Sequence, residues 1–289
     1  MANYPLAYLM SALNLKSLLS EVFLDYVQYF PFKKGKYRAA SIASYILDGS
    51  VITSIYGPKL RARFKDSTFW LMARYGNESC YNHLKDLNSN DVFIDVGANI
   101  GLFTVIASQH CYKVIALEPS TREFLDLIQN ISLNSCDNVI PILAAAADKV
   151  SFGELNVNNI VHSGGNSVVT NTKQVLDKEK TQAIHMTTID YLIDAYYEYL
   201  RMDNVSKNDP CKSFVVKIDV EGFEPQVLVG MEASLSSQKI RKVVVEIDHE
   251  RAKMLGFSDF DIYGYMESYN FVPTLKSKEN HYDECFTLA

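Results

Sequence analysis

The chain has 289 residues, of which 48% are hydrophobic and 21% charged. These proportions are ordinary for a soluble globular protein able to bury a sizeable core. Its 28 basic and 34 acidic residues leave a net charge of −6, and the nearest approach to a basic cluster is Lys33, Lys34, Lys36 and Arg38. No nucleic acid held mainly through phosphate neutralisation is therefore expected. The five cysteines (Cys80, Cys111, Cys136, Cys211 and Cys285) show no C-x-x-C spacing, which argues against a zinc site and a disulfide framework and fits a reducing, cytoplasmic setting.

Residues 7–30 read as helix. The segment starts apolar, lacks a basic leader and a small-residue cleavage site, and is interrupted by Lys16, Glu21 and Asp25 before it reaches spanning length. No membrane span is expected. The helix should pack on the domain or on a second subunit, giving a homodimer, with a membrane-surface helix as the alternative. Ser50 to Phe64 alternates around a Gly-Pro turn and predicts a hairpin. "STFWLMARYGNESCYNHLKDL" reads as mostly helical. Residues 1–74 thus form an N-terminal extension of helix and hairpin, carrying substrate or oligomer contacts.

From residue 75 to 289 the pattern becomes strand, turn, helix, repeated. The run Asp91–Val96 is a strand, followed by a helix from about Ile100 to Gln109. "KVIALE" is the next strand, and "STREFLDLIQNISLN" a helix opened by Ser120 with Glu123 three residues on, a capping-box arrangement. "NVIPILAAA" is the third strand. Residues 151–186 break the rhythm with a polar insertion, read as a substrate loop or as surface decoration. "FVVKID", a helix around "EPQVLVGMEASL" with Pro225 in its first turn, and "KVVVEID" resume it. "NFVPTLKS" and "YDECFTLA" could close the sheet as an antiparallel pair. The fold class expected is α/β: a doubly wound, mostly parallel, Rossmann-like sheet of seven strands, with ligands bound beyond the carboxyl ends of the strands.

Those ends carry acids: Asp95, Glu118, Asp219, and then Glu246 and Asp248. Carboxylates are costly inside a sheet, so each is either a helix cap or part of an acceptor-rich site. At the first turn the spacing is Gly97-x-Asn99-x-Gly101. The middle glycine of a dinucleotide fingerprint is missing and no phosphate cradle is present. A ligand with a ribose, a cationic amino-acid portion and no phosphate fits better, which describes S-adenosyl-L-methionine. Asp95 would act near the amino-acid moiety, Gly97 and Gly101 would allow close backbone approach, and Glu118, followed by Pro119, would accept from the ribose hydroxyls. Ala146 and Asp148, in "AAAADK", would lie at the adenine.

"FIDVGANIGLFT", "VIALEPS", "TTIDYL", "VVKIDVEGFEPQVLVG" and "VVVEI" together resemble the FkbM-type methyltransferases, a branch of the class I S-adenosylmethionine-dependent methyltransferase fold. The resemblance runs from about Tyr75 to Asp248. It implies methyl transfer to an oxygen, often of a sugar or polyketide, in natural-product or polysaccharide biosynthesis. Relatives that methylate nitrogen make a peptide or protein side-chain amide the alternative acceptor, and a non-catalytic scaffold of the same fold is the third reading.

A hydroxyl is a poor nucleophile and gains from a base or a metal. Asp219 or Glu221 is the expected base, with His249 as a further candidate or an ordinary polar residue. Asp219, Glu246 and Asp248 are the candidate ligands of a magnesium-like ion. Lys217 either serves catalysis or pairs with Glu246 on the neighbouring strand. His162 and Asn166 in the insertion and Glu224 after the fourth strand are the candidate substrate contacts.

Overall fold

The computed structural model describes residues 6–29, 33–75, 78–157, 165–168, 181–202, 213–277 and 279–289. The chain opens with α1 (Leu6–Tyr29) and α2 (Lys33–Leu47), then a hairpin of β1 (Val51–Thr53) and β2 (Lys59–Arg61). The Gly57–Pro58 turn is closed by Gly57 N–H donating to the Ser54 carbonyl at 2.9 Å, with Gly57 at φ +101°. α2 was not foreseen from the sequence. Its inward stripe is Ala40, Ala43 and Leu47, and small residues give a weak periodic signal. α3 (Ser67–Trp70) follows, with the Asp66 carboxylate accepting from Thr68 N–H at its start. A π-turn (Leu71–Tyr75) and α4 (Glu78–His83) complete the region.

The large domain continues with β3 (Asp91–Val96), α5 (Leu102–Ser108), β4 (Lys113–Leu117), α6 (Thr121–Leu133) and β5 (Val139–Ile142). Next come β6 (Ala145–Ala146), β7 (Ser151–Asn156), β8 (Ser167–Val168), β9 (Thr181–Thr187) and α7 (Ile189–Met202). Then follow β10 (Ser213–Ile218), α8 (Glu224–Val229), α9 (Glu232–Ser236), β11 (Ile240–Asp248), α10 (His249–Leu255), α11 (Ile262–Ser268), β12 (Phe271–Pro273) and β13 (His281–Leu288). Seven of these strands form one sheet in the order β12-β13-β11-β10-β3-β4-β5, with β11, β10, β3, β4 and β5 parallel and β13 antiparallel to both of its neighbours. Counted within that sheet, the strands run 6-7-5-4-1-2-3, the arrangement of a class I methyltransferase. The order reverses between β3 and β10, and the crevice at their carboxyl ends is where such sheets bind ligands.

Two expectations are corrected. "NVIPILAAA" is not one strand: the chain leaves the large sheet after Ile142, and Ala145–Ala146 pairs with Met186 and Thr187 of β9. Most of the described residues of 151–186 lie in strands rather than loop: β7, β8 and β9 join β6 in a second sheet of order β6-β9-β7-β8. Leu155, Val168 and Ile184 face its buried side, while Phe152 and His185 face out, so the outward positions hid the alternation.

Strand alternation sorts the core onto the two faces of the large sheet. Val92, Ile94, Val216 and Val243 pack on one side against α7, α8 and the second sheet. Phe93, Val215, Val244 and Cys285 pack on the other, against Leu24, Phe64, Phe69 and Trp70 of the N-terminal region. Fully burying a side chain such as Phe64 or Phe69 contributes about 1.5–3 kcal/mol. The hairpin edge is also tied to α6. Asn130 Oδ1 accepts from Arg61 N–H at 2.8 Å, and Asn134 accepts from Lys59 N–H at 2.9 Å and donates to the Lys59 carbonyl at 2.8 Å. The two amides satisfy an otherwise open strand edge. On α1, Leu15, Leu18, Leu19, Val22 and Tyr26 remain exposed. No helix among the described residues is long and apolar enough to cross a membrane.

Candidate active site

A cavity of about 410 Å³ lies at the carboxyl ends of the strands, at the β3/β10 switch point. The turn after β3 shapes it. Gly97 at φ +78° is followed by Asn99 at φ +51°, a left-handed conformation rare outside glycine. A Cβ on Gly97 would meet the Asp219 carbonyl oxygen at 1.9 Å, so this glycine brings the β3 and β10 turns into contact. Gly101, at φ +88°, caps α5 and lies against Leu127.

Glu118 closes β4, and its carboxylate is gripped on both oxygens. Oε2 accepts from Asn99 N–H at 2.9 Å and Oε1 from Ser120 N–H at 2.8 Å. Each oxygen keeps a lone pair for a ligand. Burial pushes the Glu118 carboxyl up to about 8, opposed by the Ser120 N–H and reinforced by the Glu123 charge. The predicted capping box is replaced by this arrangement. The Ser120 hydroxyl donates to Glu123, and Glu118 rather than Glu123 takes the Ser120 N–H. Buried Glu123 also receives Arg122 Nε at 2.6 Å and Asn166 Nδ2 at 3.2 Å, which fixes Asn166 at the cavity wall.

On the opposite wall stand Asp219, Glu221 and Glu246. Glu221 is again left-handed, at φ +60°, and is paired with the Arg251 guanidinium. Lys217 departs from its expected pairing with Glu246. Its ammonium lies 3.1 Å from Asp219 Oδ2 and 3.5 Å from Asp95 Oδ1. Burial opposes that charge, yet the Asp219 and Asp95 carboxylates hold the ammonium well above the usual lysine range.

The structure separates several candidates from the cavity. Asp95 lies beneath it rather than in its wall: it is fully buried, Oδ2 accepts from the Thr104 hydroxyl at 2.6 Å, and it reaches the site only through Lys217. Glu224 turns back on its own loop, accepting from Val220 and Gly222 N–H at 3.1 Å each, and does not touch the cavity as a substrate contact would. Burial pushes it up to about 7, against the pull of those N–H groups. Asp148 is exposed in a different groove, with Thr188 and Asp190, far from an adenine role in this cavity. His249 is exposed at the start of α10 and lies outside the lining. Asp248 caps the same helix, accepting from Arg251 N–H at 2.9 Å. His162 lies outside the described residues.

The expected ion set does not converge. Asp248 is committed to α10, Glu246 to His281 at 2.8 Å, and Asp219 to Lys217. Among the described residues no group of three or more His, Cys, Asp and Glu side chains is arranged to hold a metal ion.

Gly97, Asn99, Glu118, Pro119, Ala146, Asn166, Asp219, Glu221 and Glu246 do come together around the cavity. Sequence reasoning missed the apolar part of the wall: Thr68, Leu71 and Met72 from the N-terminal region, Phe103 on α5, Leu155 and Val168 from the second sheet, and Phe223. A π-turn is a recurrent functional irregularity, but nothing in "FWLMARY" announces one.

Residues 95–273 match the family described as Methyltransferase FkbM domain. This chain belongs to that family. The match begins at the acid ending β3 and runs through β12. Over 167 residues the chain is 31% identical to the hexuronic acid methyltransferase AglP of Haloferax volcanii, covering 57% of this chain and 59% of that protein. It is 28% identical over 185 residues to methyltransferase sdnD of Sordaria araneosa, covering 58% and 70%. The crystal structure of methyltransferase FkbM from Methylobacillus flagellatus aligns over 69% of this chain and 43% of its own, at 15% identity and a TM-score of 0.43. The FkbM domain thus accounts for the cavity's strand-end residues, while Thr68, Leu71 and Met72 lie before the matched segment.

Proposed function

We propose that this protein transfers the methyl group of S-adenosylmethionine to a hydroxyl of a small molecule or glycan. The carrying observation is the two-sided cavity, with Glu118 held open toward it on one wall and Asp219 on the other. Family membership supplies the reaction type, and the named activity of the Haloferax volcanii relative supports a sugar as acceptor.

The lining fits the cofactor. Glu118 offers a free lone pair on each oxygen to the ribose hydroxyls. Ala144, Ala145 and Ala146 leave a shallow apolar slot for a flat ring, flanked by Leu155 and Val168. Gly97 lets the β3 turn lie against the Asp219 carbonyl, which holds together the two turns that frame the cavity. When bound, S-adenosylmethionine supplies an electrophilic methyl: its S–C bond breaks with the electron pair staying on sulfur, while the acceptor oxygen forms the new O–C bond.

Asp219 is the base in this reading, receiving the hydroxyl proton as that bond forms. Its side chain is 31% exposed, whereas Lys217 beneath it is only 4% exposed. Lys217 keeps Asp219 oriented, and Asp95 and Thr104 anchor Lys217 in turn. Holding the acceptor in line can supply much of the rate, and the apolar wall of Leu71, Met72 and Phe103 keeps water away from the reacting atoms. The test is calorimetry with S-adenosylmethionine, followed by a mass-shift screen for one added methyl group on sugar and polyketide hydroxyls. No binding at millimolar cofactor would refute the reading.

A further inference from the structure

We propose that Glu123 is a positioning residue of the cofactor site: a buried carboxylate that sets the direction of Glu118 through Ser120 and holds Asn166 in the cavity wall. The inference rests on the methyl-transfer reading above and deepens it.

The turn between β4 and α6 is a junction of three parts of the chain. Glu118 closes the strand, and Glu123 lies in the first turn of the helix, fully buried. The second sheet docks on this turn from one side. Gln182 of β9 donates to the Pro119 carbonyl at 2.9 Å and accepts from Thr121 N–H at 3.2 Å, and Asn166 Nδ2 donates to Glu123 Oε2 at 3.2 Å. Arg63, just after the hairpin, reaches it from another, 3.5 Å from Glu123 Oε1 and 2.5 Å from Asp126.

The two oxygens of Glu123 divide these partners. Oε1 takes the guanidiniums, Arg122 at 2.6 Å and Arg63, which offset the cost of a fully buried charge. Oε2 accepts from neutral groups, the Ser120 hydroxyl and the Asn166 amide. Ser120 is thus tied at both ends, its hydroxyl to Glu123 and its N–H to Glu118 Oε1. A capping role does not account for Glu123, because a capping glutamate takes the N–H of the cap residue and here that proton goes to Glu118. With Ser120 fixed, the Glu118 carboxylate is held with its remaining lone pairs toward the cavity. Asn166, also in the lining, is fixed by the same oxygen. Glutamine at 123 would keep the shape but has only one acceptor oxygen. Whichever way its amide turned, the NH2 group would face either the guanidiniums or the Ser120 and Asn166 donors.

The experiment uses the full chain, calorimetry with S-adenosylmethionine and a double-mutant cycle. Glu123→Gln is expected to weaken cofactor binding about tenfold, the scale of one charge-assisted hydrogen bond. In a Glu118→Ala background the same substitution should cost less than about threefold, since no carboxylate is left to position and only the Asn166 contact is lost. A merely structural role would give the same loss in both backgrounds. Ser120→Ala keeps the N–H to Glu118 and removes only the link to Glu123, so it decides the matter if Glu123→Gln does not fold. It should weaken binding about threefold or more in the wild-type background and add nothing to Glu118→Ala. Equal losses in the two backgrounds, or wild-type affinity in folded Glu123→Gln or in Ser120→Ala, would overturn the proposal. A wild type that binds no S-adenosylmethionine would instead overturn the methyl-transfer reading, and a Glu118→Ala chain that binds as tightly as wild type would remove Glu118 from the ribose. Either result takes this inference with it.

Discussion

Lys217 is bound to Asp219, with its ammonium 3.1 Å from Oδ2, and not to Glu246. The parallel register explains this: Val244 lies opposite Lys217 on β11, and Glu246 is two residues further toward the carboxyl edge. On the other side β3 places Asp95 directly opposite Lys217. One buried cation thus serves two carboxylates, one of them fully buried. Removing one partner from such a set leaves uncompensated charge, which costs about 3–5 kcal/mol. Lys217→Met should therefore lower stability by that order, read as a shifted midpoint in urea. A change below about 1 kcal/mol, the value of an exposed pair, would show that the carboxylates do not depend on it.

Asp219→Asn tests the base directly. Asparagine nearly preserves the shape but cannot take a proton at neutral pH, and a lost general base costs about 10²–10⁴ in turnover. The expected result is that loss in kcat with S-adenosylmethionine affinity changed less than about fivefold, well under the 1.4 kcal/mol that a tenfold change represents. Full turnover in Asp219→Asn would move the base to Glu221 or Glu246.

Glu118 gives a pH signature. Folding raises its carboxyl from an ordinary 4.5 to about 8 by burial, so the folded chain retains a proton there that the unfolded chain has released. The contribution to stability is fully present below about pH 4.5 and lost as pH rises through 8. Cofactor affinity should run the other way, rising between pH 6 and pH 9 as ionised Glu118 becomes the better acceptor of ribose hydroxyls. Glu118→Gln should flatten both profiles. Glu118→Ala should weaken S-adenosylmethionine about 10- to 150-fold, the equivalent of a charge-assisted hydrogen bond. Calorimetry across pH would check both, and a flat wild-type profile would place the ribose elsewhere.

Strand-end acids were legible in the sequence because parallel strands buried on both faces are continuous Val/Ile runs, and a charged residue at the end of such a run stands out. Asp95, Glu118 and Asp219 were found that way, and Gly97 by the Gly97-x-Asn99-x-Gly101 spacing of the turn that follows. Their partners were not legible, since pairing depends on register: nothing local tells Lys217 that Asp95, over 120 residues earlier, lies opposite it. Nor could Glu224 be separated from a substrate contact, because its capping of Val220 and Gly222 N–H depends on the conformation of the Glu221–Gly222 turn. The second sheet escaped notice because its strands are short and half exposed, and α2 because it buries alanines.

Gly97 offers a test that no side-chain chemistry confounds. At φ +78° an L-residue pays roughly 1–2 kcal/mol for the left-handed backbone. The larger effect is steric, because the new Cβ would meet the Asp219 carbonyl oxygen, a backbone atom that cannot rotate away, at 1.9 Å. To accept Gly97→Ala the β3 and β10 turns must separate, carrying Asp219 away from Asn99 and Glu118. The expected outcome is a fall in thermal midpoint together with loss of S-adenosylmethionine binding. Gly57→Ala is the control: φ is +101° but nothing lies within 4 Å of its Cβ, so it should lower the midpoint by backbone strain alone and leave cofactor affinity intact. If the two variants bind S-adenosylmethionine equally well, contact between the β3 and β10 turns is not what shapes the cofactor site.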